Sequence, residues 1–586
     1  MNRLILSLTT AACLLLSPQL SLANDSQAAG ANAVMSYDSR FHPVVAKHGM
    51  VSTQDRLAAE VGRDILARGG NAVDAAVATG FALAVTHPQA GNIGGGGFMV
   101  VHLAKQNKTL TIDFREMAPA RASRDMYIGA DGEVDNRLAQ YSHLSAGVPG
   151  TVMGLLDALE TYGTMSRRQV MGPAIRLAER GFPASYALVE SLNEYREQLS
   201  ADPSTVEYFF KGGAGYQVGE RVVQKDLAAS LRRIQKYGAD GFYKGKTADL
   251  ITAEMEKGGG LITRDDLANY KTATRDAVTG EYNGYTITSM PPPSSGGVHI
   301  IQMLNMLSGY DLQADGHNSA DYLHKLIEAM RRAFADRSKY LGDPDYADVP
   351  TQALIDPAYN AAQAATINLT QASRSADIAP AAKMPYESPQ TTHYSVIDKE
   401  GNAVSVTYTL NFSYGSGYTV DGAGFLLNNE MDDFSAKPGA PNGYGLVGGE
   451  ANKIEAGKRP LSSMSPVIVL KDGKAVLVTG SPGGSTIITA VLQMVLNVVE
   501  WDMNLAQATA MPRIHHQWLP DRVAVEPGIS KDTLDELERR GFTLVKNETG
   551  GFARTVLGRV NSVGQGEGVK LGASDPRGPK SAALGH

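Results

Sequence analysis

The sequence predicts a layered fold of antiparallel sheet and helix, in the mixed α/β (α+β) class, and not a doubly wound parallel sheet. Two hairpins can be read after residue 390, HYSVID–KEG–NAVSVTYTL and SPVIVL–KDGK–AVLVTGS. The second runs through Pro482-Gly483-Gly484 into a long apolar helical segment, Ser485 to Trp501. Ahead of both, from about Thr53 to Leu341, the pattern is mostly helical with glycine-rich breaks. A chain of 586 residues has room for several cores or one large one.

The elements follow in order. Arg3, the apolar run Leu4 to Leu16 and the small residues Ser21 and Ala23 read as a secretory signal peptide over 1–23. The run is too short to span a bilayer, and no later stretch reaches roughly 18 apolar residues. The sequence thus predicts no membrane association once the signal is removed, and a periplasmic location, with full secretion as the alternative. Cys13 could mark a lipoprotein, but Thr10 stands where an aliphatic residue is usual. It is the only cysteine, so the mature chain has no disulfide, thiol nucleophile or cysteine zinc site. The net charge of −7 argues against a nucleic-acid partner.

Asp55 to Arg68 and Ala72 to Val85 read as helices separated by Gly69-Gly70. Asp226 to Lys236 and Ser319 to Ala335 carry apolar residues at helical spacing. Residues 366–390, rich in Ala, Ser and Pro, read as a mobile linker, and strand character begins abruptly at Gln390-Thr391. In the first hairpin Gly401 takes the loop position that wants positive φ. If Asp398 faces Asn402, paired numbers sum to 800 and Thr391 falls opposite Thr409.

Single residues acquire meaning only from this setting. A strand-start threonine is by default β-branched filler. A cut before Thr391, however, would free an α-amine of pKa about 7.7–8, and nucleophile and base would then share one residue. Thr409 is either its hydrogen-bonding partner or half of a structural Thr–Thr pair. Gly483 and Gly484 form a tight turn whose N–H groups, at a helix start, could meet an oxyanion. Gly94 to Gly97 and PPPSSGG from Pro291 read as backbone packed closely on other chain. NNEMDDFS, Asn428 to Ser435, is by default a solvated acidic turn. Arg115, followed by Glu116, is by default a surface ion pair, although a guanidinium is also the preferred carboxylate clamp. Gly245-Lys246-Thr247 lacks a phosphate-loop glycine, with Asp240 in its place. His515-His516 has no acidic partner spaced for a metal, and neither metal nor cofactor is expected.

Together these segments resemble the γ-glutamyltransferases: DFREMAP, GNIGGGGFM, PPPSSGG, QTTHYSVID, TYTLN, LLNNEMDDFS, PNGYGLVGG, RPLSSMSP and GSPGGS occur in order from about residue 45 to GASDPR. The resemblance implies a four-layer αββα sandwich of the N-terminal nucleophile hydrolase type. It also implies a cleavage site between Gln390 and Thr391, giving a large chain, 24–390, and a small chain, 391–586, that stay together. It further implies that Arg115, Ser462 and Ser463 hold the α-carboxylate of a γ-glutamyl group, and that Asn411, Glu430 and Asp433 hold its α-ammonium. Gly483 and Gly484 would supply the oxyanion hole, Thr409 would support Thr391, and Tyr444 would lie in a lid over Pro438 to Gly449. Bacterial members often carry glutamine where this chain has Glu430. The expected activity removes the γ-glutamyl group of glutathione or related compounds through a Thr391 acyl-enzyme, passing it to water or to an amino-acid or peptide amine. The rivals are an acylase of the same fold taking glutaryl groups, and a binding protein that never matures.

Overall fold

A computed structural model describes residues 39–378, 391–546 and 555–586. The expected signal peptide with Cys13, and Gln390, lie outside the described residues. Two seven-stranded antiparallel sheets stack on each other. One sheet, here the nucleophile sheet, has the order Ala582–Gly585, Met50–Thr53, Thr392–Ile397, Ala403–Thr409, Gly96–Leu103, Lys108–Phe114, Ala273–Arg275. The other runs Val44–Ala46, Val569–Ser574, Asn561–Gly566, Lys474–Thr479, Val467–Lys471, Tyr285–Ser289, Val278–Tyr282.

The period-2 alternation of strand side chains builds three cores. Met99, Val101, Val404 and Val406 point outward to the helices Arg56–Ala67, Ala72–Thr86 and Thr151–Tyr162. Val467, Val469 and Leu477 point outward on the other side, to Gly296–Leu307, Ala320–Tyr340 and Thr486–Val499. Residues adjacent to them in sequence, Val100, Ala403, Ile468 and Val478, meet in the space between the sheets. The layer order is therefore helix, sheet, sheet, helix, as expected. Ala72–Thr86 and Thr486–Val499 are buried on every face, which is why both read as continuously apolar.

The helix ends follow their capping residues. Asp55 accepts from Leu57 and Ala58 N–H, and Asn71 forms a reciprocal capping box with Asp74. Ser319 caps a helix that runs to Tyr340, past the expected end at Ala335. The first hairpin has the expected register, from Thr392↔Tyr408 to Ile397↔Ala403, with φ of 89° at Gly401. The second closes on Asp472-Gly473, both at positive φ, and contains a bulge between Val469 and Leu470.

Part of the expected linker is anchored. Ile367 is buried, and Ser375 donates from Oγ to Trp518 O at 2.6 Å and from N to Asp521 at 2.7 Å. Residues 379–390 lie outside the described residues. No helix among the described residues is long and apolar enough to cross a membrane.

Candidate active site

One pocket, of about 260 Å³, gathers Arg115, Thr391, Thr409, Asn411, Glu430, Asp433, Tyr444, Ser462, Ser463 and Gly484. Gly483 adjoins it in the turn before helix Thr486–Val499. Residues spread over 370 positions of sequence thus converge at one end of the nucleophile sheet.

Thr391 stands one residue before its strand. Its Oγ1 donates to Thr409 Oγ1 at 3.4 Å, and Gln54 Nε2 reaches Thr391 O at 3.5 Å and Thr392 Oγ1 at 3.1 Å. Thr409 Oγ1 also accepts the Asn411 N–H at 2.9 Å, which helps hold Asn411 at φ 76°. Close backbone approach makes this possible: a Cβ on Gly95 would lie 1.9 Å from Thr409 O. The Gly94 to Gly97 run packs on other chain throughout, as the sequence suggested.

Arg115 ends the strand Lys108–Phe114, where Tyr270 OH holds its carbonyl at 2.9 Å. It is fully buried, not a surface residue. Its Nε donates to Pro460 O at 3.2 Å, and its two terminal nitrogens pair with Glu430 and, at 2.5 Å, with Asp433. Glu116 Oε2 lies 3.5 Å away on the Glu430 side. The acidic turn is correspondingly not solvated, for Glu430 and Asp432 are buried.

Burial alone would lower the pKa of Arg115, but Glu430, Asp433 and Glu116 outweigh it and raise it. Burial and the neighbouring acids push Glu430 well above the usual carboxylate range. Burial likewise pushes Glu116 to about 7, against the lowering effect of Arg115. Asp432 rises to about 7 by burial and by the charge on Asp433. One oxygen each of Glu116 and Glu430 is buried without a hydrogen-bond partner, so one proton shared within this pair is favourable.

Ser462 and Ser463 are held from behind by PPPSSGG. Ser462 N–H donates to Pro293 O at 2.8 Å, Ser295 N–H donates to Ser462 O at 2.8 Å, and Gly296 leaves room for Ser465. Arg337, buried on helix Ala320–Tyr340, donates to Ser295 Oγ at 3.0 Å and Ser463 Oγ at 3.2 Å. Burial lowers its pKa to about 10, with Asp433 opposing and Arg115 adding to the shift. Sequence reasoning missed Arg337, since an arginine in the last turns of a helix ordinarily faces solvent and the dipole.

Gly483 and Gly484 adopt φ of 136° and 55°, which favour glycine. A Cβ on Gly484 would lie 2.5 Å from the Tyr444 ring. Tyr444 OH donates to Asn411 O at 2.7 Å, its ring stands edge-on to Phe412, and Asn442 ties the same turn to Asp433 at 3.1 Å. The segment expected to form a lid therefore packs on the Gly483-Gly484 turn and on the acidic residues together.

His515 and His516 are buried with separate partners, Thr489 and Gln517 for the first and Asp521, at 3.3 Å, for the second. The acidic neighbour that the sequence did not lead one to expect is Asp521.

The chain matches known proteins over nearly its whole length. Residues 58–585 match the family described as gamma-glutamyltranspeptidase. It is 53% identical to the glutathione hydrolase proenzyme of Escherichia coli (strain K12), over 93% of both chains. Among solved structures, a cephalosporin acylase from Bacillus halodurans aligns with TM-score 0.81 and 28% identity, over 94% of this chain and 98% of that one. The gamma-glutamyltranspeptidase of Helicobacter pylori aligns with TM-score 0.55 and 48% identity, over 56% of this chain and 93% of that one. On this sequence agreement and this shared architecture, the chain belongs to the gamma-glutamyltranspeptidase family of N-terminal nucleophile enzymes.

Proposed function

We propose that this protein is a self-cleaving γ-glutamyltransferase and glutathione hydrolase with Thr391 as its nucleophile, working in the periplasm or outside the cell as a large chain (24–390) and a small chain (391–586) of one precursor. The observation that carries the reading is the state of Arg115. This guanidinium is neutralised by Glu430 and Asp433. A γ-glutamyl group brings one α-carboxylate and one α-ammonium, so it can exchange this internal pair for two external ones: carboxylate with Arg115, Ser462 and Ser463, ammonium with Asn411, Glu430 and Asp433. A glutaryl group would open the same pair and leave the acids buried without a cation, which costs about 3–5 kcal/mol when one partner of such a pair is missing.

The chemistry then follows from Thr391. In the precursor its hydroxyl attacks the carbonyl carbon of Gln390; the C–N bond breaks as the ester forms, freeing the Thr391 α-amine, and water then opens the ester to give the Gln390 carboxylate and the Thr391 hydroxyl. In the mature enzyme that amine takes the hydroxyl proton as Oγ1 attacks the γ-amide carbon of the donor. The Gly483 and Gly484 N–H groups stabilise the oxyanion, and the proton passes to the departing amine. Water or an unprotonated acceptor amine then opens the ester. The E. coli relative is named a glutathione hydrolase proenzyme, and we extend both the substrate and the maturation to this chain.

The test compares γ-glutamyl and glutaryl anilides as donors. A preference of at least about 100-fold in kcat/KM for the γ-glutamyl compound is expected from the missing ammonium. Equal turnover, or a glutaryl preference, would favour the acylase reading.

A further inference from the structure

A second cleft, of about 540 Å³, opens between helix Tyr186–Glu194 and the turn at Gly578 to Ser581, with Glu190, Glu194, Arg559 and Lys580 among its lining. Two of its walls adjoin segments that border the Thr391 pocket. Gln54 lines the cleft and bonds Thr391 O and Thr392 Oγ1. Arg559 lines it too, with its N–H fixed on Ser481 Oγ at 2.9 Å, while the preceding Gly558 packs against Gly483.

Arg115, Arg331, Arg332, Arg513 and Arg577 all have carboxylate partners, whereas Arg559, like Arg337, forms no ion pair with any described residue. Its Nε is buried without a hydrogen-bond partner. The other cation of the cleft, Lys580, is already engaged by Asp55 at 3.2 Å and Thr86 O at 3.1 Å. Burial, then Lys580 and Arg559, keeps His87 neutral. A half-buried guanidinium with a buried, unmet Nε donor beside an open cleft can receive a planar anion, and a carboxylate fits its fork.

We propose that this cleft is the site of the peptide half of the reaction, with Arg559 holding the C-terminal carboxylate of the acceptor. The inference rests on the transfer reading above. The Arg115 pocket is filled by the γ-glutamyl group, so the departing amine must leave by another side. Attack by a dipeptide amine is the reverse of its expulsion, so acceptor and leaving group share one site. In that step the acceptor nitrogen bonds to the ester carbonyl carbon, the bond from that carbon to Thr391 Oγ1 breaks, and the acceptor's proton returns to Thr391. The same cation would then hold the C-terminal carboxylate of glutathione as a donor.

The experiment uses the mature two-chain enzyme with Arg559→Gln and Arg559→Lys. With a γ-glutamyl anilide as donor, hydrolysis without acceptor should stay within about twofold of wild type, since the anilide has no carboxylate on its leaving half. The KM for glycylglycine should rise about tenfold or more in Arg559→Gln and less in Arg559→Lys, while glycylglycine amide should be unaffected. A glycylglycine KM within about twofold of wild type, or an equal rise for the amide, would overturn the proposal. If Arg559→Gln fails to mature, Arg559→Lys decides by the same acid-against-amide comparison. Wild-type enzyme inert toward the anilide would overturn the functional reading itself, and this proposal with it; hydrolysis without any transfer to glycylglycine would overturn this proposal alone.

Discussion

Thr409→Val removes one hydroxyl and keeps the shape of the side chain. That oxygen accepts the Asn411 N–H at 2.9 Å and meets the Thr391 hydroxyl at 3.4 Å, in a site where Thr409 is only 3% exposed. Leaving a buried N–H unpaired costs about 1–3 kcal/mol, which acts on stability and on the left-handed turn at Asn411. The bond to Thr391 is long, so its loss is worth about 1 kcal/mol, or roughly fivefold in rate where the orientation of the nucleophile matters. The expected result is a fall in kcat of about fivefold or more on a γ-glutamyl anilide, with slower maturation and a stability loss of about 1–3 kcal/mol in urea. Thr409→Ser restores the oxygen and should recover most of the rate. A valine variant that matures normally, with kcat within about twofold of wild type, would refute the positioning role of this hydroxyl.

Further outcomes follow from the same geometry. Gly484→Ala sets a methyl 2.5 Å from the Tyr444 ring at a φ of 55°, so the lid should open and kcat fall by at least about tenfold, with faster limited proteolysis near Tyr444; unchanged proteolysis and rate would contradict the packing. Glu116 is raised by burial from 4.5 to about 7, so the fold favours its protonated form. The stability this contributes is present below pH 4.5 and is lost as pH rises through 7, on the order of 3 kcal/mol, and Glu116→Gln should flatten that part of the urea-stability profile. Glu430→Gln should retain γ-glutamyl turnover but shift the pH dependence of donor KM, since the amide accepts from an ammonium without titrating; an unchanged profile would show that the Glu116–Glu430 pair does not govern donor binding. Transfer to a dipeptide should gain on hydrolysis between about pH 7 and 9 as the acceptor amine deprotonates, and a falling product ratio would contradict direct attack by the free amine.

Much of the nucleophile sheet was legible because local chemistry specifies it. Gly401 sets the loop, the loop sets the register, and the register places Thr391 beside Thr409. The two fully buried helices were legible as continuous apolar runs. The depth of the site was not. Arg115, Glu430 and Asp432 look like surface charge because each finds its enclosure in distant segments: Pro460 and Leu461 beside Arg115, and the turn at Asn442 beside the acids. Arg337 was hidden for the same reason, its partners lying at Ser295 and Ser463. Residues 366–378 read as linker from their Ala, Ser and Pro content, yet Trp518 and Asp521 anchor Ser375, and no local pattern announces a partner about 145 residues away.

The most direct test of the account is an intact mass spectrum of the purified protein with N-terminal sequencing of each chain. Two chains, the smaller beginning Thr391-Thr392-His393, with Thr391→Ala remaining one uncut and inactive chain, is the predicted result. Full turnover by an uncut chain, or a small chain beginning anywhere other than Thr391, would contradict it.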